Sequence, residues 1–87
     1  MCKFIHIRNK IDNKIQGKGG YTIAYESVPG GGFLYAMAKC HEKDNFNKHL
    51  GRVKAQGRLK SFHFARMSPV EISEKDFVFS MIRDFSQ

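Results

Sequence analysis

The sequence predicts an α+β fold, in which a small antiparallel sheet carries two helices on one face. Three segments combine β-branched and aromatic residues, as strands do, and they span 2–7, 21–28 and 33–40. Two later segments begin with a helix-start signal and place apolar residues at helical spacing, and they span 43–60 and 73–85. Because a chain of 87 residues has the size of one domain, we expect residues 1–87 to fold as a single unit.

A long polar connection follows the first predicted strand. Residues 8–20 are rich in Lys, Asn and Gly and end in Gly17-Lys18-Gly19-Gly20. Connections of this length are uncommon in small domains, so we regard the segment as a candidate functional loop. Ile11 and Ile15 stand four residues apart in it, which favours a short helical turn.

The second and third strands are expected to pair as an antiparallel hairpin. Pro29-Gly30-Gly31-Gly32 separates them and is typical of a turn, because glycine adopts a positive φ without a steric penalty. Strand alternation places Tyr21, Ile23 and Tyr25 on one face of the sheet. We interpret this face as core. The alternative is a stacking platform for single-stranded bases, made of Tyr21, Tyr25, Phe33 and Tyr35.

A basic helix is expected next, with Asp44 or Asn45 as its N-terminal cap. Its apolar stripe should face the core and consists of Phe46, Leu50, Val53 and Gly57. Glycine weakens a helix interior by roughly 1 kcal/mol relative to alanine, so both helical glycines need a reason. Gly57 lies on the predicted core face and would pack closely on the sheet. Gly51 lies off that face, where the backbone of a partner could approach.

The C-terminal third predicts a short strand and a second helix. Residues 62–67 have strand composition, and Ser68-Pro69 breaks the chain before a brief extended piece at residues 70–72. Ser73-Glu74-Lys75-Asp76 resembles a capping box in which Asp replaces the usual Glu or Gln. The helix that follows carries a broad apolar stripe of Phe77, Val78, Met81, Ile82 and Phe85.

Positive charge is concentrated in two segments of the chain. The net charge is +7, and residues 1–20 and 42–60 each contribute +4, whereas residues 61–87 contribute −1. If the two basic segments meet in space, they form one electropositive face. The candidate binding residues are Lys48, Arg52, Lys54, Arg58 and Lys60 of the helix, with Lys14 and Lys18 of the loop.

Three interpretations of the basic helix stay open at this point. Its cations could contact phosphates of a nucleic acid, which supplies affinity that falls with salt and carries no base specificity. Arg52 and Arg58 could instead form bidentate bonds to carboxylates of an acidic partner protein. The helix could also be an ordinary solvated face. The oligomeric state is open as well, with a homodimer among the choices.

The sequence offers little for metal or enzyme chemistry. Four scattered histidines and two cysteines lack the spacing of zinc ligands: His6, His41, His49, His63, Cys2 and Cys40. A thiol centre of Cys40 with His41 or His63, or a nuclease centre built from the acidic residues, is the less favoured alternative. We therefore expect a binding protein and not an enzyme, with no metal and no cofactor.

The expected setting is a reducing cytoplasm. No signal peptide and no apolar run of membrane-spanning length stand out in the sequence. Two cysteines are too few for a disulfide framework, so Cys2 and Cys40 are expected to be free thiols, although their pairing is not decided by sequence.

The middle half of the chain resembles small uncharacterised proteins of tailed bacteriophages. The resemblance lies in the strand Gly20-Tyr21-Thr22-Ile23-Ala24-Tyr25 and in a helix with the pattern Lys-Asp-x-Phe-x-Lys-x-x-Gly-Arg-x-x-Ala-x-x-Arg-Leu, which begins here at Lys43. The resemblance implies a binding protein that acts on host machinery in the host cytoplasm, such as a counter-defence, anti-CRISPR-like inhibitor. Its partner would be nucleic acid or an acidic, nucleic-acid-bound host protein, and the alternative is an inhibitor without nucleic-acid affinity.

Overall fold

The computed structural model of the protein describes residues 2–8, 10–11, 14–15, 17–61 and 65–85. These residues form six strands and two helices: β1 (Lys3–Ile7), β2 (Lys10–Ile11), β3 (Lys14–Ile15), β4 (Lys18–Ser27), β5 (Phe33–Asn45), α1 (Lys48–Leu59), β6 (Arg66–Met67) and α2 (Glu74–Phe85). A four-stranded antiparallel sheet has the order β1-β4-β5-β6, and β2 and β3 pair separately. The α+β class with an antiparallel sheet and two helices is confirmed.

The helices lie on opposite faces of the sheet, so the prediction of one shared face is wrong. In the register, Ile23 stands opposite Ile5 and Met37, and Ala24 stands opposite Phe4 and Ala36. The face that contains Ile23 is covered by α2, and the face that contains Ala24 is covered by α1. The physical reason is that β4 carries no charged side chain on either face between Tyr21 and Tyr25, with Ile23 on one face and Ala24 on the other, and a strand of that kind needs cover on both faces.

The α2 face has an aromatic core. Phe77 is fully buried, and its ring centroid lies 4.9 Å from that of Phe33 and 5.1 Å from that of Tyr25. Tyr35 adds an edge contact to the same ring at 5.3 Å. Tyr21 packs against Phe85 with centroids 5.1 Å apart. The hairpin aromatics therefore face a helix, which confirms the core interpretation over the stacking platform.

The α1 face is packed with small residues. Ala55 and Leu59 are the buried residues of α1, and they contact a sheet surface that is mostly alanine: Ala24, Ala36 and Ala38. Gly51 lies directly over Thr22, because a β-carbon built on Gly51 would overlap Thr22 Oγ1. A β-carbon on Gly57 would meet nothing within 4 Å. The two glycines thus have the reverse of their expected roles.

The predicted core stripe of α1 is also wrong. Leu50 and Val53 are 52% and 55% exposed, and Phe46 precedes the helix. The helix is capped by Asn47, whose Oδ1 accepts a hydrogen bond from Leu50 N at 3.0 Å, whereas Asp44 and Asn45 belong to β5. Because small side chains let the helix backbone approach the sheet, Gly51 and Ala55 determine which side faces inward.

Other element boundaries differ less from the prediction. The predicted helical turn in residues 8–20 is absent from the described part, where β2 and β3 form an antiparallel pair instead. The strand expected at 62–67 is described only as Arg66–Met67, and residues 62–64 lie outside the described residues. The glycine turn is confirmed by positive φ at Gly30, Gly31 and Gly32. Ser73 caps α2 as predicted, since its Oγ accepts from Asp76 N at 3.2 Å.

Candidate anion-binding surface

The two basic segments of the chain meet around Phe46. The backbone N–H of Phe46 donates to the carbonyl oxygen of Gly17 at 2.8 Å, and Lys18 stands opposite Asn45 in the register of β4 and β5. The guanidinium carbon of Arg8 lies 4.9 Å from the centroid of the Phe46 ring, within the range of a cation–π interaction. These contacts hold the N-terminal cations beside the start of α1.

His6 lies close to two cations in the first half of α1, Lys48 and Arg52. Its Nδ1 lies 3.1 Å from Thr22 Oγ1, and its ring meets the Phe46 ring edge-on with centroids 5.9 Å apart. Partial burial lowers the pKa of His6 below its ordinary value, and the positive charges of Lys48 and Arg52 lower that pKa further. His6 is therefore neutral at pH 7, with two cations close enough to influence it. We call the group of His6, Arg8, Lys18, Phe46, Lys48 and Arg52 the Phe46 patch.

Gly20 explains why the chain can close around Phe46. Its φ is +110°, a conformation that L side chains rarely adopt. A β-carbon at this position would lie 2.5 Å from the carbonyl oxygen of Ile7 and 2.9 Å from Cδ2 of Phe46. Glycine therefore allows β1, β4 and the segment before α1 to converge at one point.

The sequence-predicted binding residues divide between different places. Lys48, Arg52 and Lys18 belong to the Phe46 patch, and Lys14 is exposed on β3 shortly before Lys18. The remaining three lie elsewhere on or beyond α1: Lys54, Arg58 and Lys60. Lys54 borders a cavity between α1 and the end of β5. Arg58 donates from Nη1 to the carbonyl oxygen of Met37 at 3.0 Å, which ties the helix to β5.

Three members of the patch are absent from the sequence-predicted binding residues. From sequence, His6 is weighed only as a metal ligand, Arg8 contributes only to the segment charge, and Phe46 is assigned to the core. The sequence does contain a signal for His6 and Arg8. They stand two residues apart at the end of a strand, and residues at that spacing point to the same face of the sheet. Phe46 carries no such signal, because its place depends on where α1 begins.

The positive charge on the first half of α1 is not compensated within the described residues. In the described ranges, Lys48, Arg52 and Lys54 make no salt bridge, and the first turn of α1 contains no acidic residue. The salt bridges that are seen join Lys3 to Glu74 at 2.8 Å and Arg83 to Asp84 at 3.6 Å, and α1 takes no part in either. Cations that lack an internal partner are available to an external anion.

The described chain contains no group of three or more His, Cys, Asp or Glu side chains placed to hold a metal ion, and His63 is not among the residues described. Cys2 and Cys40 are free thiols. Neither described helix has the length and apolar composition needed to cross a membrane.

Comparisons with known proteins return no matching family model, curated protein or solved structure. The resemblance to phage proteins consequently stays a prediction.

Proposed function

We propose that the protein binds nucleic acid through the Phe46 patch. The observation that carries this proposal is the closure of the chain at Phe46, which joins Gly17 by a hydrogen bond and Arg8 by a ring contact. Through it, Arg8 and Lys18 of one basic segment lie beside the start of α1, where Lys48 and Arg52 of the other basic segment begin the helix. Clustered Lys and Arg side chains neutralise phosphates and release counterions.

The composition of the patch favours phosphates over other anions. It combines Lys, Arg, a neutral imidazole and an aromatic ring, which are the groups that contact backbones and bases of single strands. The Phe46 ring is only partly buried and is flanked by Arg8 and His6. Because the described patch has no set of side chains arranged to read base edges, we expect binding that depends weakly on sequence and strongly on salt.

The decisive experiment measures oligonucleotide binding at two salt concentrations. Fluorescence anisotropy with labelled single-stranded and duplex oligonucleotides should show binding at low salt that weakens steeply as salt rises. Lys48→Glu combined with Arg52→Glu should weaken binding at low salt by at least about tenfold and reduce the slope of log affinity against log salt by about 2, one for each cation removed. Arg58 is left intact because its contact with Met37 supports the helix.

A matched control makes the same charge change on other surfaces. Lys60→Glu with Lys75→Glu alters two exposed lysines, one beyond α1 and one on α2. We expect this pair to lower affinity only slightly, through the net charge. Equal losses in both pairs would mean that only net charge matters. A lack of binding at the lowest salt would eliminate nucleic acid as the ligand and favour a regulator that contacts protein alone.

A counter-defence role in an infected host cell is a narrower proposal. It depends on the resemblance of the Lys43–Leu59 segment to phage proteins. The patch is compatible with it, since a basic surface can engage either a nucleic acid or a complex that carries one. The protein is proposed to act by binding and without catalysis.

A further inference from the structure

We infer that the outer side of α1, together with the cavity beside it, docks an acidic amphipathic helix of a partner protein. The cavity lies on the β5 flank of α1, and Arg52, which also belongs to the Phe46 patch, borders the outer side of the helix on the β1 flank, towards His6. The two proposals share Phe46 and Arg52, but they are tested separately, because the exposed Leu50 and Val53 are not part of the Phe46 patch. It follows from three observations on the described residues: an outward apolar stripe, a cavity that adjoins it, and the charge around both.

The apolar stripe of α1 points to solvent. Leu50 is 52% exposed and Val53 is 55% exposed, and Gly57 continues the same line with open space above its α-carbon. The three residues are spaced i, i+3 and i+7, the spacing at which one helix presents a seam to another. A glycine within such a seam lets a second backbone approach closely. We call Leu50, Val53 and Gly57 the outer stripe.

A cavity of about 160 Å³ opens beside the outer stripe. Leu50 and Phe46 form part of its apolar lining, and Thr22, Ala38 and Cys40 of the sheet form its floor. A cavity of about 150 Å³ lined by apolar groups is large enough for a benzene ring. The space therefore fits one bulky side chain, and a single buried anchor is what commonly carries the affinity of a helix in a groove.

The charge around the stripe selects an acidic partner. The described α1 has no acidic residue, and Arg52 and Lys54 stand on either side of Val53, with Lys60 a turn beyond Gly57. Among the described residues that line the cavity, Asp44 is the acidic one, and it is outnumbered by these cations. Charges that flank an apolar seam set partner choice, so a helix with Glu or Asp beside its apolar residues is complementary and a basic helix is repelled.

A second copy of the chain is the competing occupant. The exposed part of α2 also carries large apolar residues, Phe79 at 60% and Ile82 at 40%, near Asp76 and Asp84. Because α1 and α2 cover opposite faces of the sheet, a contact of this kind would be head to tail and would build a ring or an open chain of molecules. Sedimentation of the protein alone distinguishes this case, since self-association that Leu50→Ser abolishes would overturn the inference.

The main test uses three synthetic helical peptides as probes. The first carries Leu at the seam positions and Glu beside them, the second replaces each Glu with Lys, and the third keeps Glu and replaces each Leu with Ser. We expect the first peptide to bind at least about tenfold more tightly than either of the others. Equal binding of the first and third would show that charge alone attracts the peptide, and equal binding of the first and second would remove the charge argument.

Two pairs of substitutions that leave the net charge of the protein unchanged show where the peptide binds. Leu50→Ser with Val53→Ser should abolish the preference for the first peptide, whereas Phe79→Ser with Ile82→Ser on α2 removes a similar exposed apolar area and should leave the preference unchanged. Neither pair alters the Phe46 patch, so oligonucleotide binding should survive in both. A loss of peptide preference that is equal in the two pairs would contradict the inference.

Cys40 reports directly on the cavity. Its thiol lines the space and lies 3.5 Å from the carbonyl oxygen of Asp44, while Cys2 stands at the other end of α1 near Lys60. Iodoacetamide modification, followed for each cysteine by mass spectrometry, should slow at Cys40 and stay constant at Cys2 when the first peptide saturates the protein. An unchanged rate at Cys40 with peptide bound would show that no anchor enters the cavity and would overturn that part of the inference.

Discussion

The two helices cover opposite faces of one sheet by different physical means. On the α2 face, Phe77 fills the space against an aromatic wall and is fully buried. On the α1 face, Gly51 and Ala55 allow the helix backbone to lie close to Thr22 and to the alanines of the sheet. Large residues directed inward hold α2 in place. Small residues directed inward hold α1 in place and leave its own large apolar residues at the surface.

The difference assigns the two helices different roles: α2 contributes most of the stability, and the exposed side of α1 is available for binding. The α2 face buries large side chains, each of which is worth roughly 1.5–3 kcal/mol on transfer from water. The α1 face buries mainly methyl groups and gains less from transfer, but it exposes Leu50, Val53 and a row of cations. We therefore expect substitutions of the side chains buried between α2 and the sheet to unfold the protein. Substitutions of the side chains exposed on the outer side of α1 should instead affect binding.

Truncation in the aromatic core should have the largest effect. Phe77→Ala removes a fully buried ring that contacts Phe33, Tyr25 and Tyr35, so the free energy of unfolding should fall by about 3–5 kcal/mol. Urea unfolding followed by circular dichroism measures this change. Because a domain of this size has a total stability on the order of 5 kcal/mol, the variant should be partly unfolded without denaturant.

Leu50→Ala is the control for that experiment. Leu50 is half exposed, so its truncation should change the free energy of unfolding by less than about 1 kcal/mol. Similar losses in Phe77→Ala and Leu50→Ala would mean that Leu50 is packed as tightly as Phe77, and the outward orientation assigned to the large apolar residues of α1 would not hold.

A pair of glycine substitutions tests the close packing of α1. Gly51→Ala should destabilise the fold by about 1–3 kcal/mol, because the new methyl group would overlap Thr22 Oγ1. Gly57→Ala should stabilise it by up to about 1 kcal/mol, because the site is open and alanine favours a helix. Thermal unfolding of both variants provides the comparison. Opposite signs are the expected result, and two stabilised variants would contradict the assigned orientation of the helix.

The overlap at Gly51 can be relieved from the other side. Thr22→Ala removes the hydroxyl that the new methyl group would strike, so Gly51→Ala should cost less in that background. If the cost is the same with and without the Thr22 hydroxyl, the contact between the helix and β4 is not its cause.

The two faces should also respond to pH in different ranges, with the smallest effect of this set. The folded-state pKa of His6 lies below its unfolded value of 6.5, so the unfolded chain takes up the proton more readily. The stability that neutral His6 supplies is therefore complete above pH 6.5 and is lost as pH falls through the folded-state pKa. His6→Asn keeps a polar group near Thr22 and does not titrate, so urea unfolding at about pH 7 and about pH 5.5 should show a smaller loss in this variant.

Glu74 provides the corresponding group on the α2 face. Hydrogen bonds from Lys3 and Tyr25 lower the pKa of Glu74 below its ordinary value of 4.5, while burial and the bond to Glu74 raise the pKa of Tyr25 to about 12. Stability from Glu74 is present above pH 4.5 and is lost only in more acidic solution.

The outcome that would contradict the role of His6 follows from this difference in range. If the free energy of unfolding falls by the same amount between about pH 7 and about pH 5.5 in the native protein and in His6→Asn, His6 is not the cause of the pH dependence.

Local sequence signals predict most of the elements. The glycine turn after Val28, the hairpin it joins and the Ser73 cap of α2 follow from backbone preferences and hydrogen bonds within a few residues. Residue type and spacing likewise indicate the positions of the basic segments and of the apolar stripe on α1. They do not indicate the direction in which that stripe points, since helical spacing identifies a stripe without saying whether it faces inward.

Sequence by itself determined the α+β class, the hairpin, the two helices, and the accumulation of positive charge in residues 1–20 and 42–60. Tertiary structure decided three further features: the placement of the helices on opposite faces, the outward orientation of Leu50 and Val53, and the meeting of Arg8 and Lys18 with α1 at Phe46. Each of these depends on close contact between residues far apart in the chain, such as Gly51 with Thr22 and Gly20 with Phe46. Contacts of that kind depend on shape, and residue type and spacing in the sequence do not specify it.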